Sequence, residues 1–579
     1  MKRFNTYIAA LALALNFTLS ASSDVEMKLF QTTDVHGNYY PYNFITRQPA
    51  QGSLSRVYSA VKDARQKYGV DKVILLDNGD ILQGQPTVYY YNYVDTVSPH
   101  ITSQMMNFMG YDAGNVGNHD VETGRKVLNR WSGQCEMPIL GANIIDVATG
   151  EPYYRPYEII KRDGVKIAVL GLITPAIPAW LPEQLWKGLR FDDMETTARK
   201  WVPIIMEREH PDVLIGLFHA GQSGSELMGY KENASLDVAR NVPGFDIVLM
   251  GHDHRSDIKN VVNQKGDSVL VINPANDAVN LTDVTMKFTL DDNEKVIDKK
   301  FEGKLLDMSA YQPDSEFMSK FGPQYSIIEE YVGQPVGKLT KSISTRDAYF
   351  GPSEFVDLIH ELQLGLTGAD ISFTAPISFD ASISAGPITM SDMFNLYKYE
   401  NMLYVMELTG QEIKDYLEYS YDKWVNTMTS SSDHLLQFKD EATSGDKSRS
   451  ALKNRSYNFD SAAGIIYTVD VTKPYGEKIA IKEMADGKSF DLSKSYKVAV
   501  NSYRGNGGGE LLTKGSGILA DQLASRIVYA TDRDLRYYLT DYIKQKQVLK
   551  PRKLNQWKFI PEKIVAPAAV RDRKLLFPE

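Results

Sequence analysis

From Val25 to about Leu290 two hydrophobic patterns alternate along the chain. Runs continuous in Val, Ile and Leu, namely "MKLFQTT", "KVILLD", "YDAGNVG", "MPILGAN", "KIAVLGLIT", "DVLIGLFH", "DIVLMGH" and "SVLVIN", predict strands, many of them buried on both faces. Between them, "SLSRVYSAVKDARQKYG", "SPHITSQMMNFMG" and "METTARKWVPIIMEREH" place apolar residues at helical spacing and predict the covering layers. The expected unit is a layered α/β domain over residues 24–300. The polar stretch "DDNEKVIDKKFEGK" and the helical pattern "DSEFMSKFGPQYSIIEEYV" then predict a linker with a helix, residues 301–335. Residues 336–560 mix helices ("SEFVDLIHELQLGL", "GQEIKDYLEYSYDKWV") with strands ("IIYTVDV", "YKVAVN") and predict an α+β domain. Within it "TSGDKSRSALKNRS" reads as a surface loop, and 561–579 reads as a tail.

Length supports two domains, because 579 residues exceed the roughly 250–300 that one core organises. With 43% hydrophobic and 24% charged residues the chain is soluble and globular in type. A net charge of -9 and the lack of a basic stripe argue against a DNA or RNA polymer partner. Small phosphorylated ligands stay compatible, since a local metal overrides global charge. Residues 1–22 begin with Lys2 and Arg3, continue through an apolar run too short to span a bilayer and end in small residues, the pattern of a signal peptide. The expected protein is exported, periplasmic or extracellular, monomeric, and without a stable membrane anchor: "VAPAAVRDRKLLFPE" is too short and charged for one. The single cysteine, Cys135, excludes an intramolecular disulfide and reads as an inert thiol beside a strand.

Five of the nine histidines fall just after predicted strands, in company with Asp or Asn. Asp34 and His36 follow the first strand, Asp80 closes "LLDNGD", Asn118 and His119 lie in "GNHD", His219 ends "DVLIGLFH", and His252 and His254 lie in "GHDH". Strand carboxyl ends share one edge of a parallel sheet, so these groups are expected to meet in one crevice. Imidazole mixed with carboxylate suits zinc, manganese, iron or cobalt. Seven candidate ligands are too many for one tetrahedral ion and point to two divalent metals, with Asp80 as the candidate bridge. Each motif alone has a plain explanation as a turn or a hydrogen-bonded histidine; their order along the strands carries the argument. His100, His210, His360 and His434 lack such neighbours and are expected to be structural or on the surface.

The order D-x-H, GD, GNH, H, GHxH resembles the calcineurin-like metallophosphoesterases. The two-domain layout, the signal peptide and "NSYRGNGGGE" narrow the resemblance to the exported 5′-nucleotidase and 2′,3′-cyclic-nucleotide 2′-phosphodiesterase superfamily, over nearly the whole mature chain. The resemblance implies an α/β sandwich followed by an α+β nucleotide-binding domain. It implies one metal held by Asp34, His36, Asp80 and His254 and another by Asp80, Asn118, His219 and His252. It makes His119 the proton donor to the leaving group; the usual partner of that histidine is an Asp three residues on, a place held here by Glu122, with Asp120 the other candidate. It also implies a base held between Tyr399 and Tyr503, with Asn401 as a further contact. "GNGGG" lacks the lysine and hydroxyl of a P-loop and reads as a loop admitting the nucleoside. Where 5′-nucleotidases carry an arginine that grips the terminal phosphate, this chain has Asp380, which cannot replace a guanidinium fork. "APISF", "LYKYENMLYVMELTGQEIKDYLEYS" and "YNFDSAAGIIYTVDVTKPYGEKI" instead look like the cyclic-phosphodiesterase/3′-nucleotidase branch. The expected activity is conversion of 2′,3′-cyclic nucleotides to 3′-nucleotides and then to nucleosides and phosphate. A 5′-nucleotidase of the same superfamily and a catalytically silent nucleotide-binding or adhesion protein are the rival readings.

Overall fold

The computed structural model describes residues 23–224, 226–439 and 451–578. The predicted signal peptide and residues 443–450 of the predicted surface loop lie outside the described residues.

Strand β1 (Ser23–Thr32) leads through helix α1 (Leu54–Tyr68) to β2 (Val73–Asp77), and helix α2 (Ile101–Met109) leads to β3 (Ala113–Asn115). The short helix α3 (Asn118–Glu122) follows, then β4 (Ile139–Leu140). These four strands run parallel in the order β1-β2-β3-β4. The chain then builds a second sheet from β5 (Tyr157–Arg162), β6 (Val165–Ile173), helix α4 (Met194–Glu209), β7 (Val213–His219), helix α5 (Ser235–Asn241), β8 (Ile247–Met250), β9 (Ser256–Val262) and β10 (Ser268–Pro274). Its strand order is β9-β10-β8-β7-β6-β5. Finally β11 (Asn280–Leu290) and β12 (Val296–Asp307) return to the first sheet as an antiparallel pair beside β1.

The two sheets pack face to face through Leu29, Ile74 and Leu76 on one side and Ile167, Val169, Ile215, Leu217 and Leu249 on the other. Helices α1 and α2 cover the outer face of the first sheet, and α4 and α5 that of the second. Strands with apolar residues on both faces follow from this layering, since each sheet meets helices on one side and the other sheet on its inner side.

All eight predicted strand patterns form strands. The shared edge differs from expectation, because it belongs to two sheets rather than one. The strands without a predicted pattern, β5, β9, β11 and β12, are the antiparallel ones at the flanks. Residues 301–307, expected in the linker, are paired in β12. Lys299, Lys300, Glu302 and Lys304 disguise that strand as a connection, while an edge strand uses such charges to discourage pairing with other chains. The predicted linker helix is α6 (Ser315–Gly333).

The second domain carries helix α7 (Glu354–Thr367), β13 (Ile371–Thr374), β14 (Met402–Thr409), helix α8 (Gly410–Trp424), β15 (Ser461–Ala463), β16 (Ser495–Asn501) and β17 (Ile527–Asp534). Its main sheet has the order β15-β13-β16-β14-β17. A smaller sheet joins Ile465–Asp470, Ile479–Met484 and Trp557–Ile560. Helix α9 (Leu535–Lys546) follows β17. The stretch expected to be a tail is helix α10 (Glu562–Leu576), which buries Val565, Ala568 and Leu576 in the domain core.

Contacts between the domains are direct. Tyr89 donates to Asp534 at 3.2 Å, Ser391 Oγ donates to the Phe44 carbonyl at 2.9 Å, and the Arg536 guanidinium lies over the rings of both Tyr89 and Phe394.

Candidate active site and metal centre

The chain ends of β1, β2 and β3 in one sheet and of β7 and β8 in the other meet along one edge of the sandwich. Buried amides staple that edge. Asn78 Nδ2 donates to the carbonyls of Phe218 and Leu249, and Asn115 Nδ2 donates to those of Leu172 and Leu217 as well as to Asn78 Oδ1. Gln31 Nε2 donates to the Met250 carbonyl. Apart from the bond between Asn115 and Asn78, which ties two strand ends of the first sheet together, each joins the first sheet to the second at the level where the site begins, and a buried polar network of this kind favours one arrangement of the two sheets. Sequence reasoning missed these residues; their signal was a polar side chain set at the end of an otherwise apolar strand.

Five of the residues placed here are non-glycine residues with left-handed backbone: Asp34 (φ 50°), His36 (50°), Asp80 (56°), His252 (73°) and His254 (57°). Each such residue costs about 1–3 kcal/mol, and strain of this kind gathers where function needs it. Gly117 shows why the packing demands a glycine, since a Cβ there would sit 2.1 Å from Asp80 Oδ1.

The seven candidate ligands are brought together. Ligand atoms of Asp34, His36, Asp80 and His254 lie within 4.8 Å of one another, as do those of Asp80, His219 and His252, so Asp80 belongs to both groups. Asn118 Oδ1 faces His219 Nε2 at 3.2 Å and His252 Nδ1 at 2.7 Å. Second nitrogens fix the tautomers. His219 Nδ1 faces the Asn78 carbonyl at 2.7 Å and His36 Nδ1 the Gln83 carbonyl at 3.2 Å, so those nitrogens carry the protons. The Nε2 lone pair of His219 is thereby aimed at Asp80 Oδ2, 3.1 Å away, which is buried and makes no hydrogen bond. Lone pairs converging on a buried carboxylate fit a cation, and the nitrogen and oxygen donor set fits divalent zinc, manganese, iron or cobalt.

Electrostatics agree. Without a cation the same place draws a second proton: burial disfavours charge on His219, yet Asp80 and Asp34 outweigh it and carry that imidazole up to about 9. Burial likewise opposes ionisation of Asp34, but His219 and His254 hold it well below the usual carboxylate range. The crevice calls for positive charge.

His119 stands beside this cluster without being one of its converging donors. Its Nδ1 is 2.5 Å from Glu122 Oε2. Burial would lower its pKa, but Asp80 and Glu122 raise it to about 10, which keeps a proton on the ring. Asp120, the other candidate partner, is committed elsewhere: its two oxygens accept the backbone N–H groups of Asp80, Ile81, Leu82 and Gly117 at 2.8–2.9 Å. The physical reason is helical spacing, since Glu122 lies three residues after His119 on one face of α3, whereas the adjacent Asp120 points to another.

Tyr399 and Tyr503 are both half-buried. Tyr399 adds a small upward push to the pKa of both His119 and Tyr503. Burial pushes the Tyr503 phenol up, and Tyr457 and Glu232 add to it. Asn401 is buried, its Nδ2 3.4 Å from the Tyr397 hydroxyl. Asp380 forms a two-pronged pair with Arg346 (2.7 and 2.9 Å) near the surface. The remaining histidines have structural partners or places: His100 caps α2, His360 bonds Ser372 and Ser461, His434 pairs with Asp572, and His210 ends α4. Burial pushes the Cys135 thiol up to about 12, as an inert thiol requires.

The layered sandwich, the cation-ready crevice and the appended domain define a metal-dependent phosphoric ester hydrolase. Residues 27–256 match the calcineurin-like phosphoesterase family and residues 335–514 the 5′-nucleotidase C-terminal domain, and the chain belongs to the phosphoesterases that combine the two. It is 27% identical to the 2′,3′-cyclic-nucleotide 2′-phosphodiesterase/3′-nucleotidase of Haemophilus influenzae, covering 95% of this chain and 90% of that one. It is also 27% identical to the trifunctional nucleotide phosphoesterase of Bacillus subtilis over 94% of this chain, but spans only 39% of that longer protein. A putative 5′-nucleotidase from Staphylococcus aureus shares the fold with a TM-score of 0.76 at 22% identity, over 92% of this chain and 100% of that one. No helix among the described residues is long and apolar enough to cross a membrane.

Proposed function

We propose that this protein is an exported two-cation nucleotide phosphohydrolase that converts 2′,3′-cyclic nucleotides to 3′-nucleotides and then to nucleosides and phosphate, serving salvage outside the cytoplasm. The observation that carries the reading is the convergence of Asp34, His36, Asp80, Asn118, His219, His252 and His254, with a protonated His119 beside that cluster, its backbone N–H donating to Asp80 Oδ1 at 2.7 Å. The relationship to cyclic-nucleotide phosphodiesterase/3′-nucleotidases over nearly the full length supports the choice of substrate, and the occupation of Asp380 by Arg346 supports it further.

Asp34, His36, Asp80 and His254 would hold one cation, and Asp80, Asn118, His219 and His252 the other. When bound, two such cations polarise phosphoryl oxygens and ionise water near neutral pH. The chain's own groups do the rest. His119 delivers its proton to the ester oxygen that leaves, and Glu122 holds the ring by Nδ1 so that Nε2 faces the substrate. Asp120 holds the backbone of the Asp80 loop and the start of α3 in fixed relation, which sets the distance from His119 to the phosphoryl group. Tyr399 and Tyr503 receive the base by stacking, with Asn401 close by, an arrangement that tolerates any base.

The test is to incubate the mature protein with 2′,3′-cyclic AMP, 3′-AMP and 5′-AMP, with manganese or with chelator, and to measure adenosine and phosphate. Manganese-dependent release from the first two is the expected result. Turnover of 5′-AMP alone would reject the branch in favour of a 5′-nucleotidase, and no metal-dependent turnover of any of the three would make the protein a silent binder.

A further inference from the structure

Each imidazole in the crevice needs its second nitrogen occupied if the first is to present a lone pair. For His36 and His219 the occupant is a backbone carbonyl fixed by the fold. His252 is different: its Nε2 lies 3.0 Å from Glu232 Oε1, while its Nδ1 faces Asn118 Oδ1 at 2.7 Å. A carboxylate in this place compels the proton onto Nε2 and makes the opposite nitrogen a stronger donor than an amide carbonyl does.

We infer that Glu232 is a positioning residue for the second cation set, fixing the tautomer and orientation of His252 from a hairpin that is seated on the nucleotide-binding domain. The inference rests on the two-cation reading above. It concerns a residue outside both donor groups and one with no signal in the sequence, since Glu232 follows no strand of either sheet.

The surroundings hold Glu232 in place from both domains. It follows the hairpin formed by Glu226–Leu227 and Tyr230–Lys231. Lys231 pairs with Asp237 at 2.9 Å, and Asn233 Oδ1 accepts the Gly221 N–H at 2.7 Å, tying the segment to α5 and to the loop after β7. The hairpin tip reaches the other domain, where Met228 packs so closely on Gly507 that a Cβ there would lie 2.6 Å from its sulfur. On its other side His252 faces the Trp180 ring, 5.6 Å between centroids, and the Trp180 carbonyl accepts Asn506 Nδ2 at 3.2 Å. Both supports of His252 therefore reach Asn506 and Gly507 of the "NSYRGNGGGE" loop.

A surface ion pair without this role would leave cation binding unchanged, which makes binding the readout. The full-length mature protein is stripped with chelator and titrated with Mn²⁺ by calorimetry. Wild type is expected to take up two equivalents. In Glu232→Ala one equivalent keeps its affinity and the other weakens by about 10- to 100-fold. Glu232→Gln, which still offers an oxygen to Nε2–H but no charge, is expected to fall between them. Two equivalents with unchanged affinities in Glu232→Ala would overturn the inference while sparing the two-cation reading. A wild-type protein that binds fewer than two equivalents would overturn that reading and this inference with it.

Discussion

The crevice edge of the first domain and the side of the second domain proposed to receive the nucleoside are built on opposite plans. At the crevice, donors stand at or just past the ends of buried strands, five of the seven on left-handed backbone positions, and the strand ends are stapled by Asn78, Asn115 and Gln31. On the proposed nucleoside side, Tyr399 sits in a loop and Tyr503 in a short helix, both half-exposed, and only Tyr503 has glycine packed against it. Chemistry that places charge on a phosphoryl group within tenths of an ångström needs the first plan. Stacking of a base is tolerant of small displacements and is served by the second.

This contrast can be broken most directly at His119. His119→Ala is expected to lower turnover by about 10² to 10⁴ while metal content, measured by mass spectrometry of the acid-digested protein, stays at the wild-type value. Loss of metal in that variant would instead make His119 part of the donor set. The second domain should respond differently. Tyr399→Ala and Tyr503→Ala each remove a stacking surface worth about 1–3 kcal/mol, so KM for nucleotides rises by about 5- to 150-fold, while hydrolysis of a small ester without a base, such as p-nitrophenyl phosphate, is unchanged. Equal losses on both substrates would show that the aromatic rings support the fold and do not receive the base.

The comparison sharpens further at the level of stability, using one buried histidine from each domain. Burial, with a minor contribution from Arg130, lowers His100 to about 3, and burial lowers His360 to about 3. Both are neutral when folded, whereas the unfolded chain takes up their protons below about 6.5. Their contribution is therefore complete above pH 6.5 and is lost as pH falls from 6.5 towards 3, at up to about 1.4 kcal/mol per pH unit for each ring. Urea midpoints measured from pH 7 to pH 4 should fall, and the fall should be shallower in His360→Asn. An identical pH slope in that variant would remove His360 from the account.

Much of the first domain was legible along the chain because a strand buried on both faces announces itself as an unbroken apolar run, and because a donor placed at its end is read together with it. The flanking strands were not legible: β12 carries a lysine-rich exposed face that resembles a connection, and α10 reads as a tail until its contacts with the domain core are seen. The choice between Glu122 and Asp120 was equally open in one dimension, since both lie within three residues of His119, and only the turn of α3 and the demands of four backbone amides separate them.

By itself the sequence determined the kinds of donor, their order and their attachment to strand ends, because local hydrophobic period and side-chain chemistry are written residue by residue. Tertiary structure alone decided that two sheets rather than one supply the crevice, which nitrogen of each imidazole faces inward, and that Glu232 stands behind His252. Those outcomes depend on groups far apart in the chain meeting at hydrogen-bonding distance, a relation that no local pattern encodes.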